Sequence, residues 1–192
     1  MAYETISNAY LSTLAFDPER SRLQIGGSEV SFHCDKFNTR ILKNFEDIMG
    51  YQEGGQLLFE ASEHTTYDML NAFLSQPPAS TEFATLDLRQ RLEAIFELFK
   101  VLAYGAITVK TATAEQACFS SATSYLAEGW LENQERWHLD EREGPACHDI
   151  RGHLAAAMAL AVGKPRGSYK VSETECRVYK NGRSCEFAAE VR

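Results

Sequence analysis

The hydrophobic pattern of the chain predicts a helical first half and a second half in which strands flank one further helix. Apolar residues recur at helical spacing in the first twenty residues and over residues 35–49, 54–73 and 86–104. Residues 106–113 and 117–126 are rich in the residue types that favour strands. Grouped helices and grouped strands indicate the α+β class, with an antiparallel sheet packed against a helical layer.

Two hairpins complete this pattern, one over residues 22–34 and one at the C-terminal end of the chain. The second contains Asn181-Gly182, a dipeptide that favours tight turns because both residues tolerate positive φ. If this dipeptide forms the turn, Cys176 pairs with Phe187, and Cys176 and Cys185 share the inward sheet face, roughly 7 Å apart. Packing, a disulfide or a shared metal would each explain two inward thiols at this distance.

The last helix is predicted over residues 147–162, and its middle consists almost entirely of small residues. Gly163 and Pro165 mark its end. A helix with so little side-chain volume permits close approach of its backbone to a sheet. Since no linker or internal repeat interrupts the pattern, we expect residues 1–192 to form a single domain.

The formal net charge of -8 narrows the range of partners. It argues against general nucleic-acid binding, which needs a basic face, and against docking on anionic lipid through basic residues. No apolar run is long enough for a membrane span, and we find no signal peptide, so a reducing cytoplasmic location is expected. There the five cysteines are expected to be thiols or metal ligands.

Motifs of common enzyme classes are absent from the sequence. It contains no glycine-rich phosphate loop, no dinucleotide fingerprint and no nucleophile elbow. The serines near residue 120 have no evident catalytic partner in the sequence. These observations favour a binding protein over an enzyme.

Three segments in the last fifty residues carry a resemblance to a known family. They are Gly152-His-Leu-Ala-Ala-Ala-Met158, Glu173-Thr-Glu-Cys176 and Gly182-Arg-Ser-Cys185-Glu-Phe187. Together they resemble the 4-vinyl reductase-type domain, whose fold is shared with subunits of the TRAPP vesicle-tethering complex. The resemblance implies an α+β domain that forms a homodimer and holds a small hydrophobic molecule in an internal pocket.

The resemblance also implies a zinc site. Sensor members of the family hold zinc with one Cys, one Glu and two further Cys, and the matching residues here are Cys147, Glu173, Cys176 and Cys185. In a regular strand Glu173 and Cys176 would face opposite sides, so a bulge or bend between them is required. Without one, His148 is the alternative ligand to Glu173. A site closed by four protein ligands would be structural.

Several aromatic residues fall in the region that would line the pocket in this family. They are Phe96, Phe99, Tyr104, Phe119, Tyr125 and Trp130. The alternative for each is a place in the core, and Trp130 is the strongest candidate for a ligand contact because its indole N–H can donate to a ligand.

The resemblance therefore implies a non-enzymatic sensor or carrier for a hydrophobic, aromatic or tetrapyrrole-like molecule, possessing a structural zinc site. A sensor role would require a separate output protein. Two alternatives remain open at this point: an enzyme or accessory protein acting on a porphyrin precursor, and a scaffold subunit of a complex.

Overall fold

The computed structural model describes residues 2–31, 34–138, 141–180 and 182–192. The helices in these ranges are α1 (Ala2–Ser12), α2 (Asp35–Met49), α3 (Tyr51–Leu74), α4 (Ala79–Ala84), α5 (Leu88–Val101), α6 (Tyr125–Leu131) and α7 (His148–Val162). The strands are β1 (Ala15–Asp17), β2 (Arg22–Ile25), β3 (Ser28–Val30), β4 (Ile107–Ala112), β5 (Gln116–Ser121), β6 (Tyr169–Glu175) and β7 (Cys185–Val191). The predicted α+β class is confirmed. None of these helices combines the length and apolar character needed to cross a bilayer.

The strands form two antiparallel sheets. The N-terminal sheet has the order β1-β2-β3, and the C-terminal sheet has the order β4-β5-β7-β6. The predicted first hairpin corresponds to β2 and β3, joined at Gly26 and Gly27, which both have positive φ. The part of that hairpin around Phe32 lies outside the described residues, and β1 is an additional strand.

Helix α7 lies between a helix and the C-terminal sheet. It packs against α3 on one side and against β6 and β7 on the other, so nearly every residue along it is buried. The run from Ala155 to Ala159 is fully buried, and Gly152 faces α3. The small side chains are required because larger ones would hold the helix away from both neighbours.

Two predicted segments differ from the structure. The second predicted strand ends at Ser121, and the residues after it form α6, which contains Trp130. A short apolar run fits a strand or a helix equally well by periodicity, which explains this error. The segment after Pro78, to which the pattern assigns no element between residues 73 and 86, forms α4.

The C-terminal hairpin forms with a different register from the predicted one. Glu173, and not Cys176, pairs with Phe187. Strand β6 ends at Glu175, and the chain then folds back so that the Gly182 amide donates to the Cys176 carbonyl at 3.1 Å. The predicted turn at Asn181-Gly182 lies partly outside the described residues, because Asn181 is not among them.

The contact between α3 and α7 leads to a prediction. A Cβ added to Gly152 would lie 2.3 Å from the Phe59 carbonyl oxygen and 2.8 Å from the Glu63 amide nitrogen, and neither backbone atom can move away cheaply. We expect Gly152→Ala to lower the free energy of unfolding by about 2 kcal/mol or more, as for other overpacked sites. Gln56→Ala, at an exposed position of α3, should change it by less than about 0.5 kcal/mol. Urea denaturation measures the free energy of unfolding of both variants. Equal values would show that α3 and α7 accommodate the added methyl group without loss of stability.

Candidate metal centre and ligand cavity

Four side chains from three parts of the fold meet at the start of α7. Cys147 directly precedes the helix, Glu173 lies on the inward face of β6, Cys176 follows that strand, and Cys185 begins β7. One ligand atom from each residue lies within 4.8 Å of all the others. The expected irregularity is present, because the pairing of β6 with β7 shifts between Glu173 and Glu175. This shift brings Cys176 to the same site as Glu173.

The sulfur distances exclude a disulfide and suit a metal. The Cys147 and Cys185 sulfurs are 3.6 Å apart, far longer than a disulfide bond. Two sulfurs bound tetrahedrally to one zinc at 2.3 Å would be about 3.8 Å apart. The Cys176 sulfur accepts from the amides of Ala146 at 3.5 Å and Val178 at 3.4 Å, a common environment for a thiolate.

The charge balance of the cluster also suits a cation. Hydrogen bonds from the Cys147 and Cys185 thiols lower the pKa of Cys176, and the bond to Cys176 raises the pKa of Cys147 well above its usual value. Burial raises the pKa of Glu173 to about 8. Several negative charges are therefore unfavourable in the buried site, and a bound cation would stabilise them.

Glu173 has one carboxylate oxygen in use and one buried without a partner. Its Oε2 accepts from the Cys147 amide at 2.9 Å. Its Oε1 is buried and has no hydrogen-bond partner in the described part of the chain. An unpaired buried carboxylate oxygen is costly, and it is the atom that would complete a Cys₃Glu ligand set. The cluster can thus hold a metal ion.

His148, the alternative ligand, takes part in a separate ion network beside the cluster. Its Nε2 lies 2.9 Å from Glu46 Oε1, and its Nδ1 lies 2.5 Å from an Arg151 nitrogen. Arg142 completes the network through a bidentate contact with Glu46. The Arg142, Glu46 and His148 side chains are only 6%, 10% and 4% exposed. This network joins α2 to the start of α7.

A cavity of about 540 Å³ lies between the N-terminal sheet and helices α1, α2, α3 and α7. Its walls are largely apolar and include Ile25, Leu42, Leu58, Met69 and Val101. Leu11, Leu14 and Ile41 line it and are themselves 45%, 49% and 37% exposed, so they form its mouth. Its volume lies within the range typical of small-molecule sites.

The inner end of the cavity carries polar groups from α6, α7 and the residues after α5, and Thr66 of α3 supports one of them. The Tyr125 hydroxyl donates to Asp149 Oδ2 at 2.8 Å, and Thr66 Oγ1 lies 2.7 Å from His153 Nδ1. The Tyr104 ring stacks on the His153 ring with centroids 4.2 Å apart. Burial lowers the pKa of His153 to about 3, so the imidazole is neutral. Burial also raises the pKa of Asp149 to about 6.

The structure divides the predicted pocket residues into two groups. Tyr104 and Tyr125 line the cavity. Phe96, Phe99 and Phe119 pack among themselves in the core, and their part in ligand binding stays a prediction. Trp130 is 1% exposed, with the Arg142 guanidinium 4.3 Å from its ring centroid, and its indole N–H has no partner among the described residues. A ligand role for Trp130 likewise stays a prediction.

Sequence reasoning missed the polar residues of α7 that reach the cavity. Asp149 and His153 are four residues apart and therefore share one helix face. This polar pair, just before the run of small apolar residues that begins at Ala155, was the available signal. The buried Glu46–Arg142 pair had no such signal, because 96 residues separate its members.

Comparison with solved structures agrees with this architecture. The phenol-responsive sensory domain of the transcription activator PoxR, solved with phenol, superimposes with a TM-score of 0.73 at 13% identity, covering 98% of this chain and 89% of that one. The chain has the 4-vinyl reductase-type fold. A trafficking protein particle complex subunit 3 from Naegleria fowleri, covalently bound to palmitic acid, shares it at a TM-score of 0.51 and 12% identity, covering 82% and 95%. Neither a protein-family model nor a curated protein matches the sequence.

The ion network beside the cluster generates a stability prediction. Glu46→Gln leaves the Arg142 guanidinium buried without its anion, and we expect a loss of about 3 kcal/mol in the free energy of unfolding at neutral pH. Burial raises the pKa of Glu46, but the hydrogen bonds from His148 and Arg142 outweigh burial and lower it below 4.5. The contribution of Glu46 is therefore present above pH 4.5 and is lost as the pH falls below that value.

The control for this variant is Asp47→Asn, which removes an exposed carboxylate of the same helix that contacts Lys43. Urea denaturation at neutral pH and near pH 4 measures both variants against the unsubstituted protein. The deficit of Glu46→Gln should shrink at the lower pH. Equal stabilities of the two variants at neutral pH would show that the network contributes nothing.

Proposed function

We propose that this domain binds a hydrophobic or aromatic small molecule in the cavity and acts as a sensor or carrier without catalysing a reaction. The observation that carries the proposal is the cavity itself, with apolar walls and hydrogen-bonding groups at its inner end. Ligand sites generally combine these two features. The fold shared with a phenol-responsive sensory domain supports the proposal. A tetrapyrrole-like ligand is a more specific form of the same proposal.

A zinc ion is the proposed occupant of the Cys147, Glu173, Cys176 and Cys185 cluster. Three thiolates and a carboxylate match the ligands and coordination number that zinc prefers. Four protein ligands leave no position for water, so the ion would fasten the start of α7 to the last two strands. The polar groups of the cavity that lie on α7 would be held in place by the same attachment.

Association with a second copy of the chain is part of the proposal. Phe16 and Ile48 are large apolar side chains that are 66% and 82% exposed, and a homodimer interface would cover them. As a sensor, the domain would transmit ligand binding to a separate output protein. As a carrier, it would release the ligand to a partner.

The zinc proposal predicts a large effect of one cysteine substitution. We expect Cys185→Ala to lose bound zinc and to lower the melting temperature by about 10 °C, since each kcal/mol shifts a domain of this size by about 2–4 °C. Cys118→Ala is the matched control, because Cys118 is an exposed free thiol outside the cluster. Metal analysis and thermal denaturation measure the two effects. Equal melting temperatures of the unsubstituted protein with and without a strong chelator would refute the role of zinc.

The cavity proposal predicts that filling the cavity prevents binding. Ala61 lines it from α3 at an exposed position, so Ala61→Phe should occupy the space with little cost in stability. We expect binding of phenylnaphthylamine, a neutral fluorescent probe, to weaken about tenfold or more relative to the unsubstituted protein. Ala61→Ser is the control and should bind as the original does. No saturable binding of the probe to the unsubstituted protein, or equal binding by both variants, would contradict the proposal.

A further inference from the structure

The residues that line the cavity carry acidic groups without basic ones. Two of them are carboxylates, Asp35 and Asp149, and the described lining includes no lysine or arginine. His153 adds no positive charge, because burial keeps its imidazole neutral. Asp35 is exposed and Asp149 is buried, so the described interior of the cavity is apolar with one acidic group.

Asp149 keeps unused acceptor capacity at the inner end of this cavity. It is 6% exposed; Oδ2 accepts from the Tyr125 hydroxyl at 2.8 Å, and Oδ1 accepts from the Ile150 amide at 2.7 Å. Each carboxylate oxygen has room for a second donor. Arg151, a cation that acts on Asp149 electrostatically, makes its hydrogen bond to His148 instead. No ion pair to Asp149 forms among the described residues.

The size of the cavity indicates a ligand larger than a single ring. A cavity of about 150 Å³ is large enough to hold benzene. The volume of about 540 Å³ is more than three times that value. The apolar walls between the mouth and Asp149 would then cover the body of an elongated ligand, and its end would reach Asp149.

We propose that the cavity is selective for an amphiphilic amine, whose ammonium group donates to Asp149 while its aromatic or aliphatic body fills the apolar part. This inference rests on the proposed function and specifies its ligand class. An ammonium supplies both the donor and the positive charge that the site lacks. A carboxylate of the same shape would meet Asp149 as a like charge in a poorly solvated position, which is unfavourable.

Three ligands with one body test the head-group preference. Phenylbutylamine, phenylbutanol and phenylbutanoate differ only at the end that would meet Asp149. We expect titration calorimetry of the full, metal-loaded chain to rank the amine first and the carboxylate last. The amine should bind about tenfold tighter than the alcohol, because both head groups can donate to Asp149 but only the ammonium adds a positive charge.

Asp149→Asn tests the residue itself. The asparagine oxygen still accepts from the Tyr125 hydroxyl, but the negative charge is removed. We expect the amine to bind about tenfold weaker and the alcohol to change little. Asp68→Asn removes an equal charge from an exposed site outside the cavity and should leave all three affinities unchanged. The metal content of both variants confirms that the cluster is intact.

Several results would overturn the inference. The inference is wrong if the alcohol or the carboxylate binds as tightly as the amine. This comparison is made on the unsubstituted protein. An unchanged amine affinity in Asp149→Asn would also overturn it. Failure of all three ligands, while phenylnaphthylamine still binds, would reject the amine and leave the proposed function standing. Failure of the neutral probe as well would reject both.

Discussion

The architecture depends on one helix being buried along nearly its whole length. Helix α7 lies between α3 and the C-terminal sheet, so its residues must be small enough for both neighbours. Gly152 permits the approach of α3, and the alanines after it fill the remaining space. A polar side chain on a buried face of this helix cannot reach water and must find a partner within the protein. The polar residues of α7 therefore mark places whose role goes beyond packing.

Those places concentrate in the first two turns of α7. Cys147 directs its sulfur towards the last hairpin, His148 meets Glu46 of α2, and Asp149 and His153 face the cavity. The metal-type cluster, the ion network and the polar end of the cavity thus surround one short segment. Because Asp149 is two residues from Cys147, substitutions at either site act on the same helical turn. Metal content and ligand affinity must accordingly be measured on the same preparation.

Sequence reasoning succeeded where the determinants are local. The bounds of α7 follow from its small residues and from Gly163. The four cluster residues were named through the family resemblance that motifs near the C-terminus carry, and the structure brings them together. The need for an irregularity after Glu173 follows from strand alternation alone. The register of the hairpin was wrong because the chain after Cys176 turns back through Gly182 instead of continuing as a strand. The strand predicted where α6 forms was wrong because a short apolar sequence does not distinguish a helix from a strand.

The cavity could not be located from the sequence, because it is a gap between elements far apart in the chain. Its walls come from α1, β2, α2, α3 and the end of α5, whereas three of the predicted aromatic residues lie in a different layer. Phe96, Phe99 and Phe119 fill the space between α5 and the sheet, where close packing leaves them facing one another. The cavity forms on the other side of Tyr104, where α1 and the small N-terminal sheet meet the helices without interdigitating fully. Space for a ligand in this fold is therefore set by how α1 and the N-terminal sheet pack against the helices around the cavity.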